Sequence, residues 1–180
     1  DSPRKSVLGP DQQAWLMKEF AAAADAGTPL VIWANTVPWI TRVDAANGHG
    51  WEPYSRERRE LADAIKRLGL TSRLVMVSGD AHMAAIDDGT NSNYASDARP
   101  GERGFVVVHA AAFDRWPRAK GGPYSHGRST RWNQFGWAVV NDNGRELSVV
   151  LSAHLQTGVQ LPGLRLELRC DTEKGCQPVT

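Results

Sequence analysis

With 180 residues, 41% of them hydrophobic and 23% charged, the chain has the size and composition of one folded domain with a core of ordinary extent. Lys and Arg number 21 against 20 Asp and Glu, a net charge of +1, which gives no electrostatic basis for a nucleic-acid or membrane-surface partner. No apolar window approaches the roughly 18 residues that a bilayer span needs.

"LGPDQQAWLMKEFAAAADAG" predicts the first helix. Pro10 suits its first turn and Asp11 its positive end. Trp15, Leu16 and Phe20 recur at roughly helical spacing, and Gly27 ends it. Trp15 is assigned to the core on this pattern, as is Trp137 further on. A buried strand is expected over Leu30 to Ala34, with Asn35 and Pro38 opening a loop flanked by Trp33 and Trp39. "TRVDAANGHGWEPYS" reads as loop. "SRERRELADAIKRLGL" reads as a helix with Ser55 as N-cap and Leu61, Ala64, Ile65 and Leu68 on one face.

A strand over Leu74, Val75, Met76 and Val77 follows directly, then the loop "GTNSNYASDARPGERG" and the strand "FVVVHAAAF". The glycine-rich linker "KGGPYSHGRSTRWNQ" leads to "FGWAVVND" and "ELSVVLSAH", a hairpin turned at Asn143-Gly144, and "LRLELRC" closes the series. This order predicts an α/β fold, β-sheets flanked by helices, with strands 30–34 and 74–77 adjacent and parallel. The chain reads as a single domain over 1–180. It begins at Asp1 rather than Met and shows no signal peptide, as processing or truncation would leave it.

Cys170 and Cys176 are the only cysteines, in "RCDTEKGCQ", with Gly175 between them. A small disulfide loop fits this spacing and implies an oxidising compartment, secreted or periplasmic. Two free surface thiols are the alternative. Zinc would need further Cys or His nearby.

The chemistry concentrates where the strand 74–77 runs into Ser78-Gly79-Asp80-Ala81-His82. On an extended backbone, residues i and i+2 point to one side, so Asp80 and His82 would face together as an oxygen and a nitrogen ligand for a metal ion. Gly79 would allow the sharp turn, and Ser78 could support the ligands from behind. A capping Asp followed by a satisfied histidine is the bland alternative. A serine hydrolase built on Ser78 is excluded, because the Gly-x-Ser-x-Gly elbow is absent.

"RLVMVSGDAHMAAIDDGTNSNYA" resembles the final motif of the PhoD-like (alkaline phosphatase D) branch of the metallophosphoesterases, a hydrophobic strand ending in Gly-Asp-x-His. "SVLGPDQQAWL" and "PLVIWANTVPW" are similar to the family's Leu-Gly-x-x-Gln helix and the strand after it. "WEPYSRERREL" is similar to its Trp-x-x-Tyr-x-x-Glu-Arg helix entry, here Trp51, Tyr54, Glu57 and Arg58. "HAAAFDRWPRAKGGPYSHG" and "NQFGWAVVNDNG" are similar to closing strands of a PhoD-like subgroup, so the resemblance runs over about residues 6 to 152. It implies a layered metallophosphoesterase fold and metal-assisted hydrolysis of phosphate mono- or diesters. The family's motifs that lie earlier in the chain, a first Asp-x-His, Gly-Asp-x-x-Asp and Gly-Asn-His-Asp/Glu, are not found upstream of Gly79-Asp80-Ala81-His82, and the sequence's one Gly-Asp is already used there. The chain therefore resembles the C-terminal part of such an enzyme, with the N-terminal part as its expected partner. The alternative is a non-catalytic fragment or subunit, inert without that partner.

By that resemblance Asp80 and His82 would be catalytic metal ligands. Asp80 stands where relatives carry His, a harder ligand set that favours Fe or Ca over Zn. Asn35 occupies a position where phosphoesterases often place a metal-binding His, and a turn-forming Asn is the competing reading. His126, Lys120 and Arg128 are candidates to contact the phosphate-ester substrate from the glycine-rich loop. Asp87-Asp88-Gly89 lacks calcium-loop spacing and is expected to be a solvated turn. His109 is expected to be a satisfied strand-end histidine, and His49 and His154 have no supporting context. Trp51 and Trp116 could line a cleft or simply pack.

Overall fold

The computed structural model describes residues 5–41, 50–110 and 112–179. His49 and most of the loop before Trp51 lie outside the described residues. The architecture is mixed α/β, with two sheets and few helices. Helix α1 spans Pro10–Asp25, strand β1 Val31–Asn35, a 3-10 turn Glu52–Tyr54 and helix α2 Ser55–Arg67. Strands β2 Leu74–Ser78, β3 Ala84–Asp87, β4 Val106–Ala110 and β5 Arg128–Ser129 complete one sheet in the order β1-β2-β4-β3-β5. Strands β6 Gln134–Asp142, β7 Leu147–Leu155, β8 Gln160–Asp171 and β9 Gly175–Pro178 form an antiparallel four-stranded sheet in chain order.

Strands β1 and β2 are parallel neighbours, Val31 opposite Leu74 through Asn35 opposite Ser78, as the helical crossover between them requires. The uninterrupted apolar run of β2 has a simple cause: both faces of its sheet are covered. Leu74 and Met76 face one core with Leu16, Phe20, Leu61 and Ile65 of the helices. Val75 faces a second core with Leu151, Leu166 and Leu168 of the other sheet. Strand β4 divides the same way, Val107 toward the helices and Val106 and Val108 toward the second sheet.

Several expectations are corrected. Ser55 is the first residue of α2, and Tyr54 stands at the N-cap position without a side-chain cap bond. Trp15 is 57% exposed and Trp137 52% exposed, so neither is core. Helix α1 buries the i, i+4 pair Leu16 and Phe20, which turns Trp15 away. Trp137 lies on the edge strand β6, where its ring packs on Phe135 and His154. Trp51 is a core residue, packed edge-to-face on Trp39 with ring centroids 5.3 Å apart. Asp87 is no solvated turn: it is fully buried and accepts hydrogen bonds from the amides of Gly89, Asn91 and Ser125 and from Asn91 Nδ2. The sequence also gave no sign of β3, β5 or β9.

The Trp-x-x-Tyr-x-x-Glu-Arg pattern proves to be a structural clamp. Glu57, buried, accepts from Ser6 Oγ and from the amides of Val7 and Leu8, which fastens the segment before α1. Arg58 donates to the Trp39 carbonyl and Thr41 Oγ1, and its guanidinium lies 3.7 Å from the Tyr94 ring centroid. Cys170 and Cys176 are joined by a disulfide and face each other across the β8–β9 ladder. No described helix is long and apolar enough to cross a membrane.

Candidate active site

The three parallel strands end in one row, with Asn35 opposite Ser78 and Ser78 opposite His109. Loops leaving such strand ends are where layered α/β folds place ligands. The turn carrying Asp80 and His82 leaves β2 at this row. It is not extended, as the i and i+2 argument assumed. Asp80 (φ 58°) and His82 (φ 53°) are both left-handed, two of the three described non-glycine residues with positive φ. Gly79 is not in the left-handed region, and a Cβ there would meet only the Thr36 carbonyl at an ordinary 3.7 Å. The unusual backbone therefore sits on the two functional candidates rather than on the glycine; Asp and His tolerate this region better than most side chains, and contacts from the surrounding chain hold them there.

The enforcing segment is 116–120. His82 Nδ1 lies 3.0 Å from the Trp116 carbonyl oxygen, and the Arg118 amide donates to the His82 carbonyl at 3.0 Å. Lys120 Nζ donates both to Asp80 Oδ2 at 2.8 Å and to the main-chain oxygen of Asp80 at 2.7 Å. Within the turn, the Ala81 amide donates to the Gly79 carbonyl at 2.7 Å.

This geometry decides what the two side chains can do. A carbonyl only accepts, so Nδ1 of His82 carries the proton and Nε2 of the neutral ring keeps a lone pair. Metal-ligating histidines are commonly oriented by this kind of bond. Asp80 is exposed, with Oδ2 bonded to Lys120 and Oδ1 without a hydrogen bond among the described residues. An imidazole lone pair and a free carboxylate oxygen fit a metal ion. Among the described residues, no three His, Cys, Asp or Glu side chains converge on one point.

Behind the turn lies a buried relay. Ser78 Oγ stands 2.8 Å from His109 Nδ1, and His109 Nε2 stands 3.1 Å from Tyr124 Oη. Tyr124 donates its one proton to the Lys120 carbonyl at 2.9 Å, so it accepts from Nε2–H of His109, and Ser78 donates to Nδ1. Burial lowers the His109 pKa to about 4, which keeps the ring neutral, and burial also pushes the Tyr124 hydroxyl up. His109 is thus satisfied as expected. Gly121 lets this segment approach: at φ +67°, a Cβ there would sit 2.0 Å from the Ile40 carbonyl oxygen.

The other predicted residues are dispersed. Asn35 uses its amide nitrogen on the Val37 carbonyl, with Met76 Sδ also near, a turn-supporting role that leaves Oδ1 as the atom able to ligate. Arg128 is exposed beside a groove of about 430 Å³ lined by Gly121 to Tyr124 and Gly127, and His126 is half-buried on the same loop. His154 is held by Ser152 Oγ and the Gly158 carbonyl. Trp116 is 77% exposed and packs edge-to-face on Trp132. The sequence reading had no place for the links from Trp116 and Arg118 to His82 or from Tyr124 to His109.

The PhoD-like phosphatase family matches residues 1–117, almost two thirds of the chain. The chain belongs to the PhoD-like phosphatase family, whose members are phosphoester hydrolases. The match stops short of the closing strands that the sequence resemblance had included. A solved chain described as the structure of PhoD shares the fold over 99% of this chain with a TM-score of 0.58 at 12% identity. The present chain spans 36% of that solved chain. No curated protein sequence matches.

Proposed function

We propose that this chain is a single domain forming the C-terminal portion of a metal-dependent phosphatase or phosphodiesterase with a layered metallophosphoesterase fold. In this reading Asp80 and His82 are metal ligands contributed to a centre whose other ligands come from an N-terminal part. The observation that carries it is the turn at the end of β2, where Asp80 and His82 both have positive φ and His82 Nδ1 is committed to the Trp116 carbonyl, so that the neutral ring offers Nε2. The harder oxygen ligand supports iron or calcium over zinc. When bound, such ions polarise phosphoryl oxygens and lower the pKa of bound water.

The chain's own residues then have separable tasks. His82 holds its proton on Nδ1 and offers Nε2, Asp80 offers a carboxylate oxygen, and Asn35 Oδ1 is a further candidate ligand. Arg128 and His126 lie on one loop from which they could meet phosphoryl oxygens, whereas Lys120 could do so only by leaving Asp80. The partner is supported by two facts. The related solved chain is nearly three times as long, and β1 is a sheet-edge strand with Ile32 exposed. The disulfide and the lack of an apolar spanning helix among the described residues are compatible with a secreted or periplasmic protein.

The test is a comparison of metal content and phosphodiester hydrolysis between the full-length enzyme carrying this chain and its Asp80→Ala and His82→Ala variants. Full metal occupancy and full activity in both variants would overturn the assignment. The isolated chain is expected to be inactive under the same assay, and turnover by it alone would remove the need for a partner.

A further inference from the structure

We propose that Lys120 is a positioning residue for the metal centre, holding Asp80 in its ligating pose before any metal arrives. The proposal rests on the reading of Asp80 and His82 as ligands and deepens it. One ammonium bonds to two oxygens of the same residue, the side-chain Oδ2 and the main-chain oxygen of Asp80. This bridge ties the orientation of the carboxylate to the left-handed backbone that carries it, and it leaves Oδ1 for a cation. His82 is pinned in the same way, side chain and main chain together, from Trp116 and Arg118. Five residues, 116–120, therefore restrain both left-handed positions of the turn.

A surface ion pair contributes little to global stability, and here Asp80 is 40% exposed while Lys120 is only 13% exposed. The lysine is nevertheless anchored from behind. Its carbonyl accepts from Tyr124, which is held by buried His109, which is held in turn by Ser78 at the end of β2. The path from Ser78 to Asp80 thus closes on itself through Lys120. Such a closed path does nothing for bulk stability that a simpler contact could not do. It makes sense as preorganisation, because an Asp tolerates the left-handed region but is not confined to it unless other groups hold it there.

The experiment uses the full-length enzyme that carries this chain, with metal content measured as purified and Ca²⁺ titrated calorimetrically into chelator-stripped protein. Lys120→Met is expected to weaken metal binding by roughly tenfold to a hundredfold, the range typical of groups that orient ligands. KM for a phosphodiester at saturating metal and the thermal midpoint of the chelator-stripped protein should stay at wild-type values. Lys120→Arg keeps two donors and should restore most of the binding. Tyr124→Phe, which releases the anchor without touching Asp80, should weaken binding in the same direction by a smaller factor, and it stands in should Lys120→Met fail to fold. Unchanged metal binding in Lys120→Met while Asp80→Ala loses metal overturns the positioning role and leaves the ligand reading intact. A raised KM with metal retained makes Lys120 a substrate contact instead. Wild-type metal binding in Asp80→Ala overturns both.

Discussion

His82 Nδ1 and the main-chain oxygen of Trp116, 34 residues apart in sequence, stand 3.0 Å from each other. That bond puts a proton on Nδ1, so in the neutral ring it is Nε2 that can serve as base or ligand atom. In the full-length enzyme, His82→Ala and Asp80→Ala should each lower kcat/KM by at least about a hundredfold, the upper end of what loss of a mere orienting group costs. Both variants should keep the far-UV circular dichroism of wild type, since neither side chain packs in a core. His126→Ala should cost far less. Steady-state kinetics on the three variants check the order, and a His126 effect equal to that of Asp80 would contradict it.

His109 should make the protein acid-sensitive. Its folded pKa, about 4, lies below the ordinary histidine value of 6.5 because burial disfavours the charged ring. The unfolded chain therefore binds the proton first as pH falls. The stability contributed by keeping this ring neutral is complete above about pH 6.5 and drains away between about 6.5 and 4, by up to about 3 kcal/mol. Urea unfolding at several pH values should show this slope, and His109→Asn should be less stable at pH 7 with a flatter dependence. Equal slopes in the two proteins would count against the assignment.

Arg58 and Glu57 are buried polar groups, each hydrogen-bonded to both main-chain and side-chain partners. Arg58→Ala removes bonds to Trp39 and Thr41 along with the stacking on Tyr94. Glu57→Ala leaves the amides of Val7 and Leu8 without their acceptor. Each should destabilise the fold by about 2–4 kcal/mol, readable as a lowered urea midpoint with unchanged slope. A loss of only a few tenths would mean that water replaces these bonds freely.

The disulfide closes a short loop, so its contribution should be modest. Replacing Cys170 and Cys176 by Ser should cost roughly 2 kcal/mol by the loop-entropy relation. The damage should concentrate in β9, which the crosslink holds on β8. Hydrogen exchange should show faster opening over 175–178 with the β1–β2 amides still protected. Uniform loss of protection would indicate that β9 is part of the cooperative core.

What the sequence determined by itself is local. The helices over α1 and α2, the parallel pair 31–35 and 74–78, the Asn143-Gly144 hairpin and the closely spaced cysteines all follow from periodicity, turn chemistry or short spacing. Asp80 and His82 were singled out as candidates by their resemblance to a family motif. The tertiary structure alone decided their conformation. Extended geometry would have aligned the two side chains, but the chain instead turns left-handed under restraint from residues 34 and 40 positions away. Asp87 shows the same limit: two adjacent acids before a glycine suggest solvent, yet one is buried because Ser125, 38 residues on, supplies a donor. Strand β3 was invisible because "AAID" is only four residues long with no apolar-polar alternation, and it is recognisable only by its pairing with β4. Trp15 looked like core because periodicity tells which residues share a helix face but not how wide a stripe the neighbours cover. For the turn, Asp87 and β3 the deciding partner lies twenty or more residues away, and no local pattern encodes a contact that exists only once the chain has closed on itself.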